Sequence, residues 1–466
     1  MITPKTLREN FCCVELEGDT FTPIGILQKL SGNKKFLLES SLKHKEEGRY
    51  SFIGSSPAFE LVSYGETNQI IQPNGEKRIL KGNPISIIKN LLPAIEGFQS
   101  TLPLFAGGVG YIGYDIVRQF ENIGGELKNE LNMPDVHLMF YEEMVIFDHL
   151  EKKVYIAGMP LLKESTGESI RKRIEKRQEE LKAAVPYQEM EEASLSGFEP
   201  LLERNEFIKN VETAKEHILN GDIFQVVLSQ RMKSEFKGSS LSLYRKHRAA
   251  NPTPYMFYID FEEYTVIGSS PESLVKTRGK KVTVNPIAGT KKRGNSTEED
   301  VEIARELATD EKELAEHRML VDLGRNDLGR VCEFGTVSVQ RYMEVEKFTH
   351  VMHLVSEVTG ELKDGETAID ALAACLPAGT VSGAPKVRAM EIINNLENSR
   401  RGLYSGAVGY LSAGGDMDFA LAIRTAILKD GDAYIQAGAG IVHDSQPVSE
   451  YEETINKLKS FLGGKR

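Results

Sequence analysis

The stretch YMFYIDFEEYTVIGSSPESLVKTRGKKVTVNPIAG, residues 255–289, decides the fold class of this chain. It contains four short runs, rich in β-branched and aromatic residues, and such runs between turn residues predict β-strands. No helical segment separates the runs, as a regular alternation of strand and helix would require. The stretch therefore predicts neighbouring antiparallel strands.

Similar strand-like runs lie on both sides of this stretch. They are RYSFIGSSPAFELVSYG (49–65), EEMVIFDHLEKKVYIAG (142–158), DIFQVVLSQRMKSEF (222–236), SGAVGYLSAGG (405–415), DFALAIRTAIL (418–428) and DAYIQAGAGIV (432–442). Helices are predicted over 205–221, with Gly221 closing the helix, and over 241–250. The pattern predicts an α+β fold, with large antiparallel β-sheets packed as a sandwich and with flanking helices.

The chain reads as a composite of two parts. With 466 residues it is too long for one ordinary core. The charged run from Lys163 predicts an exposed helix, and the irregular stretch from Pro186 predicts a boundary. We divide the chain into residues 1–160, residues 161–200 (the charged helix and a linker) and residues 201–466.

Composition excludes several classes of protein. The net charge of −11 argues against a nucleic-acid partner. The N-terminus lacks the pattern of a secretory signal, and no apolar run reaches the ~18 residues that span a membrane. Four irregularly spaced cysteines, Cys12, Cys13, Cys332 and Cys375, predict reduced thiols. We expect a cytoplasmic protein without membrane contact.

Two pairs of glutamates share the same helical spacing. Glu313 and Glu316 lie three residues apart in a helix-favouring segment, and Glu450 and Glu453 repeat this spacing near the C-terminus. Neighbouring like charges on a helix repel unless a cation or proton lies between them. If both pairs converge, they suit Mg²⁺, which takes one or two carboxylates, waters and ligand oxygens. Solvated acidic faces and a two-metal phosphohydrolase are the alternatives, although the second lacks the Asp and His clusters of such sites.

Other residues mark a possible anion site. His353, like His350, is a candidate proton carrier, whereas a lone histidine is more often structural. Arg424, within an apolar run, requires an anionic partner. Small residues in NPIAGT (285–290) and GAGIV (438–442) allow backbone amides to approach an anion. The Gly-x-Gly-x-x-Gly pattern at 108–113 lies in a strand-like context, so we interpret it as structural.

Many ordered motifs resemble the chorismate-utilising enzymes, and within them the component I subunits of anthranilate synthases. The motifs are FLLES (from 36), GDIFQVVLSQR (221), NPTPYMFY (251), GSSPE (268), NPIAGT (285), DEKELAEHRMLVDLGRNDLGRV (310), THVMHLVSEVTG (349), LPAGTVSGAPKVRAM (376), AIRTA (422), QAGAGIVHDS (436) and YEETINK (451). They cover nearly the whole chain.

The resemblance implies a role for each candidate residue. Glu316 and Glu453 would hold Mg²⁺ against the ring carboxylate of chorismate, with Glu450 in a second layer beside Glu313. Glu313 would protonate the departing C4 hydroxyl, and His353 would assist the elimination of pyruvate. The matching substrate-binding positions are Thr290, Tyr404, Arg424, Gly438, Gly440 and Lys457, with Arg424 on the enolpyruvyl carboxylate.

Two positions distinguish relatives within this family. Gln225 stands where water-adding isochorismate and salicylate synthases have a lysine base. Ala288 stands where enzymes that make 4-amino-4-deoxychorismate commonly carry a nucleophilic lysine. Both residues favour anthranilate as the product. The alternatives are 4-amino-4-deoxychorismate synthesis and, in another class, a catalytically silent tryptophan-binding subunit.

The resemblance also implies an inhibitor and a partner. Glu39, Ser40, Pro254, Tyr255 and Met256 match the residues that bind tryptophan as feedback inhibitor, so residues 1–160 would be regulatory and 201–466 catalytic. These five are alternatively ordinary strand and loop residues. No glutaminase motif surrounds any cysteine, so a separate glutamine amidotransferase subunit would supply ammonia.

Overall fold

The structure is a computed structural model, and it describes residues 10–41, 48–92, 100–183, 190–348 and 351–461. His350 and residues 1–9 lie outside these ranges. The described part contains ten α-helices: α1 (Pro23–Lys29), α2 (Pro84–Leu91), α3 (Gly167–Lys182), α4 (Arg204–Leu219), α5 (Ser240–Ala250), α6 (Thr297–Thr309), α7 (Glu311–Val331), α8 (Ala368–Cys375), α9 (Lys386–Leu396) and α10 (Pro447–Phe461).

The same ranges contain 25 β-strands. In chain order they are β1 (Cys12–Glu17), β2 (Phe36–Glu39), β3 (Tyr50–Gly54), β4 (Phe59–Tyr64), β5 (Thr67–Ile71), β6 (Lys77–Lys81), β7 (Gly107–Ile112), β8 (Val136–Tyr141), β9 (Glu143–Asp148), β10 (Lys153–Gly158), β11 (Ser194–Leu195), β12 (Glu199–Pro200), β13 (Gln225–Lys237), β14 (Tyr255–Asp260), β15 (Tyr264–Ser270), β16 (Ser273–Arg278), β17 (Lys281–Val284), β18 (Ile287–Lys292), β19 (Ser338–Lys347), β20 (Val351–Glu361), β21 (Gly383–Ala384), β22 (Ala407–Ser412), β23 (Met417–Leu421), β24 (Thr425–Lys429) and β25 (Asp432–Ile441).

The strands form two large antiparallel sheets. Sheet 1 has the order β1-β10-β9-β3-β2-β14-β15-β24-β25-β13-β11, and β12 and β21 also pair with β13. Sheet 2 has the order β18-β20-β17-β16-β23-β22-β7-β8-β4-β5-β6, and β19 also pairs with β20. The predicted α+β class is therefore confirmed.

The sheets pack face to face, with helices on their outer faces. Alternation along β14 shows the arrangement, because Phe257 and Ile259 join an apolar core with Val109 and Tyr111 of sheet 2. A second core packs α1, α3, α5 and α10 on the outside of sheet 1. A third packs α2, α7 and α8 on the outside of sheet 2. This arrangement is the predicted sandwich of two sheets with flanking helices.

Both sheets combine strands from the two parts of the chain. In sheet 1, β2 pairs with β14, and in sheet 2, β7 pairs with β22. Residues 1–160 and 201–466 therefore share continuous sheets. The division into regulatory and catalytic parts stays a prediction.

Three local predictions differ from the structure. The charged helix is α3, but it is not wholly exposed, because Ile170, Ile174 and Leu181 are buried against sheet 1. The run 281–289 forms two strands, β17 and β18, separated at Asn285 and Pro286. The run 418–428 also forms two strands, and these belong to different sheets, β23 to sheet 2 and β24 to sheet 1.

The glycine-rich motifs of the two halves lie side by side. Gly110 of β7 pairs with Gly409 of β22, so these two glycines belong to one close contact inside sheet 2. A Cβ at Gly110 would overlap the carbonyl oxygen of His137, and one at Gly409 would overlap that of Asp418. Gly110 also has a φ of +155°, which other residues rarely adopt. The pattern at 108–113 is thus structural.

Replacement of Gly110 by alanine is expected to destabilise the protein by roughly 2 kcal/mol or more, because the backbone must shift to accommodate the new methyl group. Guanidinium unfolding monitored by circular dichroism checks this. Gly329→Ala is the matched control, since Gly329 lies in α7 with no atom near its Cβ position. Alanine favours helices, so the control should be as stable as the parent or more stable. Equal midpoints for both variants would contradict the close contact.

All four cysteines are free, with Cys12, Cys332 and Cys375 buried and Cys13 exposed. Among the described residues, no helix combines the length and the apolar character that a membrane crossing requires.

Candidate active site

Helix α7 presents the first glutamate pair at the edge of sheet 2. Asp310 caps the helix, and its carboxylate accepts hydrogen bonds from the Lys312 and Glu313 amides at 3.1 and 3.2 Å. Residues further along α7, including Val321 and Leu328, are buried in the core. This anchoring leaves Glu313 and Glu316 half-buried on the face of α7 that carries the site.

Helix α10 presents the second pair. Glu453 is about half exposed and forms an ion pair with Lys457 at 2.7 Å. The Lys457 ammonium also donates a hydrogen bond to the Gly438 carbonyl of β25 at 2.9 Å. Glu450 is half-buried. Lys457 thus ties this helix to the strand that carries the predicted glycines.

The two glutamate pairs interact with each other. Burial raises the pKa of Glu316, and the negative charges of Glu313 and Glu453 raise it further. Burial likewise raises the pKa of Glu450, with a contribution from Glu453. The structure therefore brings the two acidic stripes to one place, although they lie more than 130 residues apart in sequence.

This carboxylate cluster fits a divalent cation that is completed by a bound ligand. Within the described ranges, no three side chains of the His, Cys, Asp or Glu types are arranged to enclose a metal ion by themselves. Mg²⁺ commonly uses only one or two carboxylates and fills its other positions with water and substrate oxygens. The carboxylates of Glu313 and Glu453 lie close enough to Glu316 to repel its negative charge. A divalent cation bound among them would relieve this repulsion.

His353 of β20 lies next to the first pair. Its Nδ1 is 3.1 Å from both the Gly289 carbonyl oxygen and Thr290 Oγ1. A carbonyl oxygen only accepts, so Nδ1 carries the proton and Nε2 of the neutral ring keeps its lone pair. Burial lowers the pKa of His353, and the charge of Arg424 lowers it further. The ring is therefore a neutral base at pH 7.

Gly289 explains how His353 and Glu313 come together. It lies at an irregularity in the pairing of β18 with β20, between Ala288 and Thr290, and it has a φ of +72°. Its Cβ position lies 3.1 Å from Glu313 Oε2. A side chain at this position would press on that carboxylate, so glycine is required here.

Gln225 and the glycines of β25 form another wall. The Gln225 side chain is buried and hydrogen-bonds Glu316. It also lies close to Gly440, whose Cβ position is 2.8 Å from Gln225 Nε2. The Tyr404 hydroxyl is 2.8 Å from the Cβ position of Gly438, and burial raises the pKa of Tyr404 to about 12. These predicted substrate-binding residues therefore share one surface.

The structure corrects the prediction for Arg424. The sequence placed it as a buried arginine in one long strand, but it is exposed at the crossover between β23 and β24, with a φ of +49°. The apolar run is continuous because both flanking strands are buried, not because they form one strand. Its positive charge lowers the pKa of both His353 and Glu272. Arg424 is thus a cation at the junction of the two sheets.

Sequence reasoning missed Glu272, which lies within the quoted motif GSSPE. Its residue position is the crossover from β15 to β16, beside the crossover that carries Arg424. Thr380 donates a hydrogen bond to Glu272 Oε1 at 2.8 Å. Burial raises the pKa of Glu272 to about 7. A carboxyl group with such a pKa can donate a proton at neutral pH.

A separate cavity lies between the two sheets, and all five predicted inhibitor-binding residues line it. The lining residues are Leu38, Glu39, Ser40, Tyr50, Phe52, Pro103, Pro254, Tyr255, Met256, Phe257, Lys276, Arg278, Val408, Gly409, Tyr410 and Asp418. Glu39 Oε2 and Asp418 Oδ1 are buried there without a hydrogen-bond partner among the described residues. Two cations and several aromatic rings accompany them. The lining suits an aromatic zwitterion.

Comparisons with known proteins agree with this architecture. A family model described as chorismate binding enzyme matches residues 34–463. The menaquinone-specific isochorismate synthase of Escherichia coli has the same fold, with a TM-score of 0.73 at 18% identity, over 97% of this chain and 94% of that one. The chain belongs to the family of chorismate-binding enzymes.

Its similar relatives within that family carry a more specific name. Anthranilate synthase component 1 of Acetivibrio thermocellus is 44% identical, with 96% of this chain and 94% of that protein covered. The Lactococcus lactis protein of the same name is 43% identical, at 96% and 98% coverage. The structure of anthranilate synthase component I from Streptococcus pneumoniae superposes with a TM-score of 0.83 at 43% identity, over 96% of this chain and 98% of that one.

Proposed function

We propose that this protein is the chorismate-converting component of an anthranilate synthase, acting in tryptophan biosynthesis. Chorismate and ammonia would yield anthranilate, pyruvate and water. The observation that carries this proposal is the meeting of the two glutamate pairs beside neutral His353 and Gln225. The relatives that cover nearly the whole chain bear the same name.

Substrate binding requires a local reversal of charge. Chorismate is a dianion, whereas the chain carries a net charge of −11. Arg424 would bind the enolpyruvyl carboxylate, and the Gly438 and Gly440 backbone would approach the substrate closely. We propose Mg²⁺ as cofactor, held by Glu316 and Glu453. When bound, Mg²⁺ would polarise the ring carboxylate of chorismate and neutralise charge that develops there.

The first chemical step needs a proton donor. Ammonia adds at C2 while the C4 hydroxyl leaves as water, so one proton must reach that hydroxyl. The family resemblance implies this task for Glu313. We assign it to Glu272, because its pKa of about 7 leaves much of it protonated at neutral pH. Thr380 would keep the donor in place through its hydrogen bond.

The second step needs a base. Removal of the C2 proton, together with loss of the enolpyruvyl group as pyruvate, gives the aromatic ring. His353 would accept this proton at Nε2, because Gly289 holds the ring proton at Nδ1. The Thr290 hydroxyl, which lies 3.1 Å from Nδ1, would help to hold the His353 ring in this orientation.

The choice of nucleophile follows from the residues beside Glu316. Gln225 cannot act as a general base, so water is not activated as it would be by a lysine at this position. Ala288 offers no nucleophile for the para product. We propose that ammonia comes from a separate glutamine amidotransferase subunit. The name component 1 of the relatives implies a further component in those proteins.

Identification of the product tests this function. The purified chain is incubated with chorismate, Mg²⁺ and ammonium at alkaline pH, and anthranilate is followed by its fluorescence and by mass. Formation of anthranilate is the expected result. Formation of 4-amino-4-deoxychorismate or isochorismate would overturn the proposal, and absence of turnover with bound tryptophan would indicate a silent binding subunit.

We further propose tryptophan as the occupant of the cavity between the sheets. Its ammonium group would complete the unpartnered Glu39 Oε2 or Asp418 Oδ1, and Lys276 and Arg278 would attract its carboxylate. The indole would pack on the aromatic lining. Binding there would inhibit the reaction.

Substitution of Glu39 tests the cavity. Glu39→Gln keeps the shape of the side chain but removes its charge, so the dissociation constant of tryptophan in calorimetry should rise by about 10- to 100-fold. Glu15→Gln is the matched control, because Glu15 is an exposed residue on β1 of the same sheet. Unchanged tryptophan affinity in Glu39→Gln would show that tryptophan does not bind in this cavity.

A further inference from the structure

Helix α5 contacts both Glu39, a lining residue of the cavity, and the end of the carboxylate-bearing helix α10. Three of its side chains, Tyr244, His247 and Arg248, have the i, i+3, i+4 spacing that places residues near one another on a helix surface. Tyr244 and Arg248 contact Glu39, which lines the cavity, and His247 contacts α10.

The contact with the cavity is made through Glu39. The Tyr244 hydroxyl donates to Glu39 Oε1 at 2.6 Å, and Arg248 Nη1 donates to the same oxygen at 2.5 Å. The Glu39 side chain has no exposed surface. Its other oxygen, Oε2, is buried and has no hydrogen-bond partner among the described residues, and Glu39 is one of the residues that line the cavity. The Glu39 carboxylate therefore links α5, through Oε1, to the lining of the cavity.

The contact with α10 is made through His247, which is 4% exposed. Its Nδ1 lies 2.9 Å from the carbonyl oxygen of Phe461, the last residue of α10, so Nδ1 carries the proton. Burial lowers the pKa of His247 to about 4, so Nε2 is an acceptor, and the Ser269 hydroxyl donates a hydrogen bond to it at 2.7 Å. The ring also stacks on Phe461, with centroids 4.0 Å apart.

Ser269 connects the same histidine to Arg424. The Ser269 amide donates to the Arg424 carbonyl oxygen at 3.2 Å. Ser269 also pairs with Met256, a cavity residue, in the β14–β15 ladder. Both ring nitrogens of His247 thus form hydrogen bonds to other elements, one to the end of α10 and one to Ser269, the β15 residue whose amide bonds Arg424.

We propose that helix α5 transmits occupancy of the Glu39 cavity to Arg424 and to the carboxylate helix α10, with His247 as the positioning residue. This inference rests on the proposed function. A cationic ligand at Glu39 Oε2 draws on the carboxylate that holds Tyr244 and Arg248, so α5 shifts. Because the contacts of His247 are buried and close-packed, its displacement moves Phe461 and Ser269 rather than being absorbed.

The coupling between the sites is measured directly. In the parent protein, saturating tryptophan should raise the KM for chorismate at least about tenfold, and chorismate should weaken tryptophan binding reciprocally. In His247→Ala the same ratio of KM values should fall below about threefold. Calorimetry should show that the variant still binds tryptophan with an affinity within about threefold of the parent.

A second variant protects the test against misfolding. Ser269→Ala removes only the hydroxyl that contacts His247 Nε2, and the coupling ratio should fall here too. Thr265→Val is the matched control, because it removes a hydroxyl from the same strand, β15, without a contact to His247, and its ratio should equal that of the parent.

Three results would overturn the inference. One is a parental coupling ratio in both His247→Ala and Ser269→Ala. Another is loss of tryptophan binding in both variants, which would make His247 part of the cavity instead. The third is a ratio in Thr265→Val as low as in Ser269→Ala. A parent that makes no anthranilate, or does not bind tryptophan, would instead refute the proposed function.

Discussion

Glu316→Gln is expected to lower kcat/KM for chorismate by about three orders of magnitude and to raise the Mg²⁺ concentration needed for half-maximal rate. Glu316 lies among the other carboxylates of the cluster, where burial and like charges already raise its pKa. An amide keeps the shape of the side chain but supplies a neutral oxygen in place of a charged ligand. The loss of several kcal/mol of charge stabilisation gives the expected magnitude.

Steady-state kinetics with chorismate and ammonium check this expectation across a Mg²⁺ titration. Glu311→Gln is the matched control, because Glu311 is an exposed glutamate in the first turn of the same helix. It should retain the parental Mg²⁺ dependence. A Glu316→Gln variant with parental kinetics would show that this residue of α7 does not bind the metal.

Glu272→Gln is expected to lower kcat/KM by about 10²- to 10⁴-fold, the usual contribution of a general acid. The pH profile gives the sharper signature. Because the protonated form is active and its pKa is about 7, kcat/KM of the parent should fall as pH rises through this value. The variant has no proton to lose at this position, so its remaining activity should show no such fall.

The concentration of free ammonia must be held constant across this profile, because ammonium itself deprotonates at alkaline pH. Glu263→Gln, an exposed glutamate in the turn before β15, is the matched control and should keep the parental profile. Glu313→Gln distinguishes the two carboxyl groups. If it removes the alkaline fall while Glu272→Gln preserves it, Glu313 is the donor, as the family resemblance implies.

Local patterns predict the fold class well, and they fail where the outcome depends on distant contacts. The strand runs of 255–289 are visible because their residue types and turns are local. The break in the run 418–428 is not visible, because it occurs at Arg424 in a left-handed conformation without glycine or proline. The buried face of α3 was recognisable from the spacing of Ile170, Ile174 and Leu181, but its dense charge obscured it.

The site shows the same limit. Spacing alone identifies the two glutamate pairs, whereas their meeting requires the packing of α7 and α10 around the sheets. Nothing in the sequence next to Glu272 indicates that its pKa is raised. Its raised pKa results from burial, which outweighs the lowering effect of the hydrogen bond from Thr380, a residue 108 positions away in sequence. Sequence therefore predicts which residues are chemically suited, and the fold determines which protonation states they hold.

The most direct test of the central claim, that α7 and α10 build one cation site, is the binding of Mn²⁺ as a probe for Mg²⁺, followed by electron paramagnetic resonance. One Mn²⁺ per chain is expected in the parent, displaced by excess Mg²⁺. Glu316→Gln and Glu453→Gln should each weaken it at least about tenfold, and the double variant should be little worse than either, because removal of one ligand already breaks the shared site. Unchanged affinity in either single variant, or independent additive losses, would contradict the claim that the two helices share one cation.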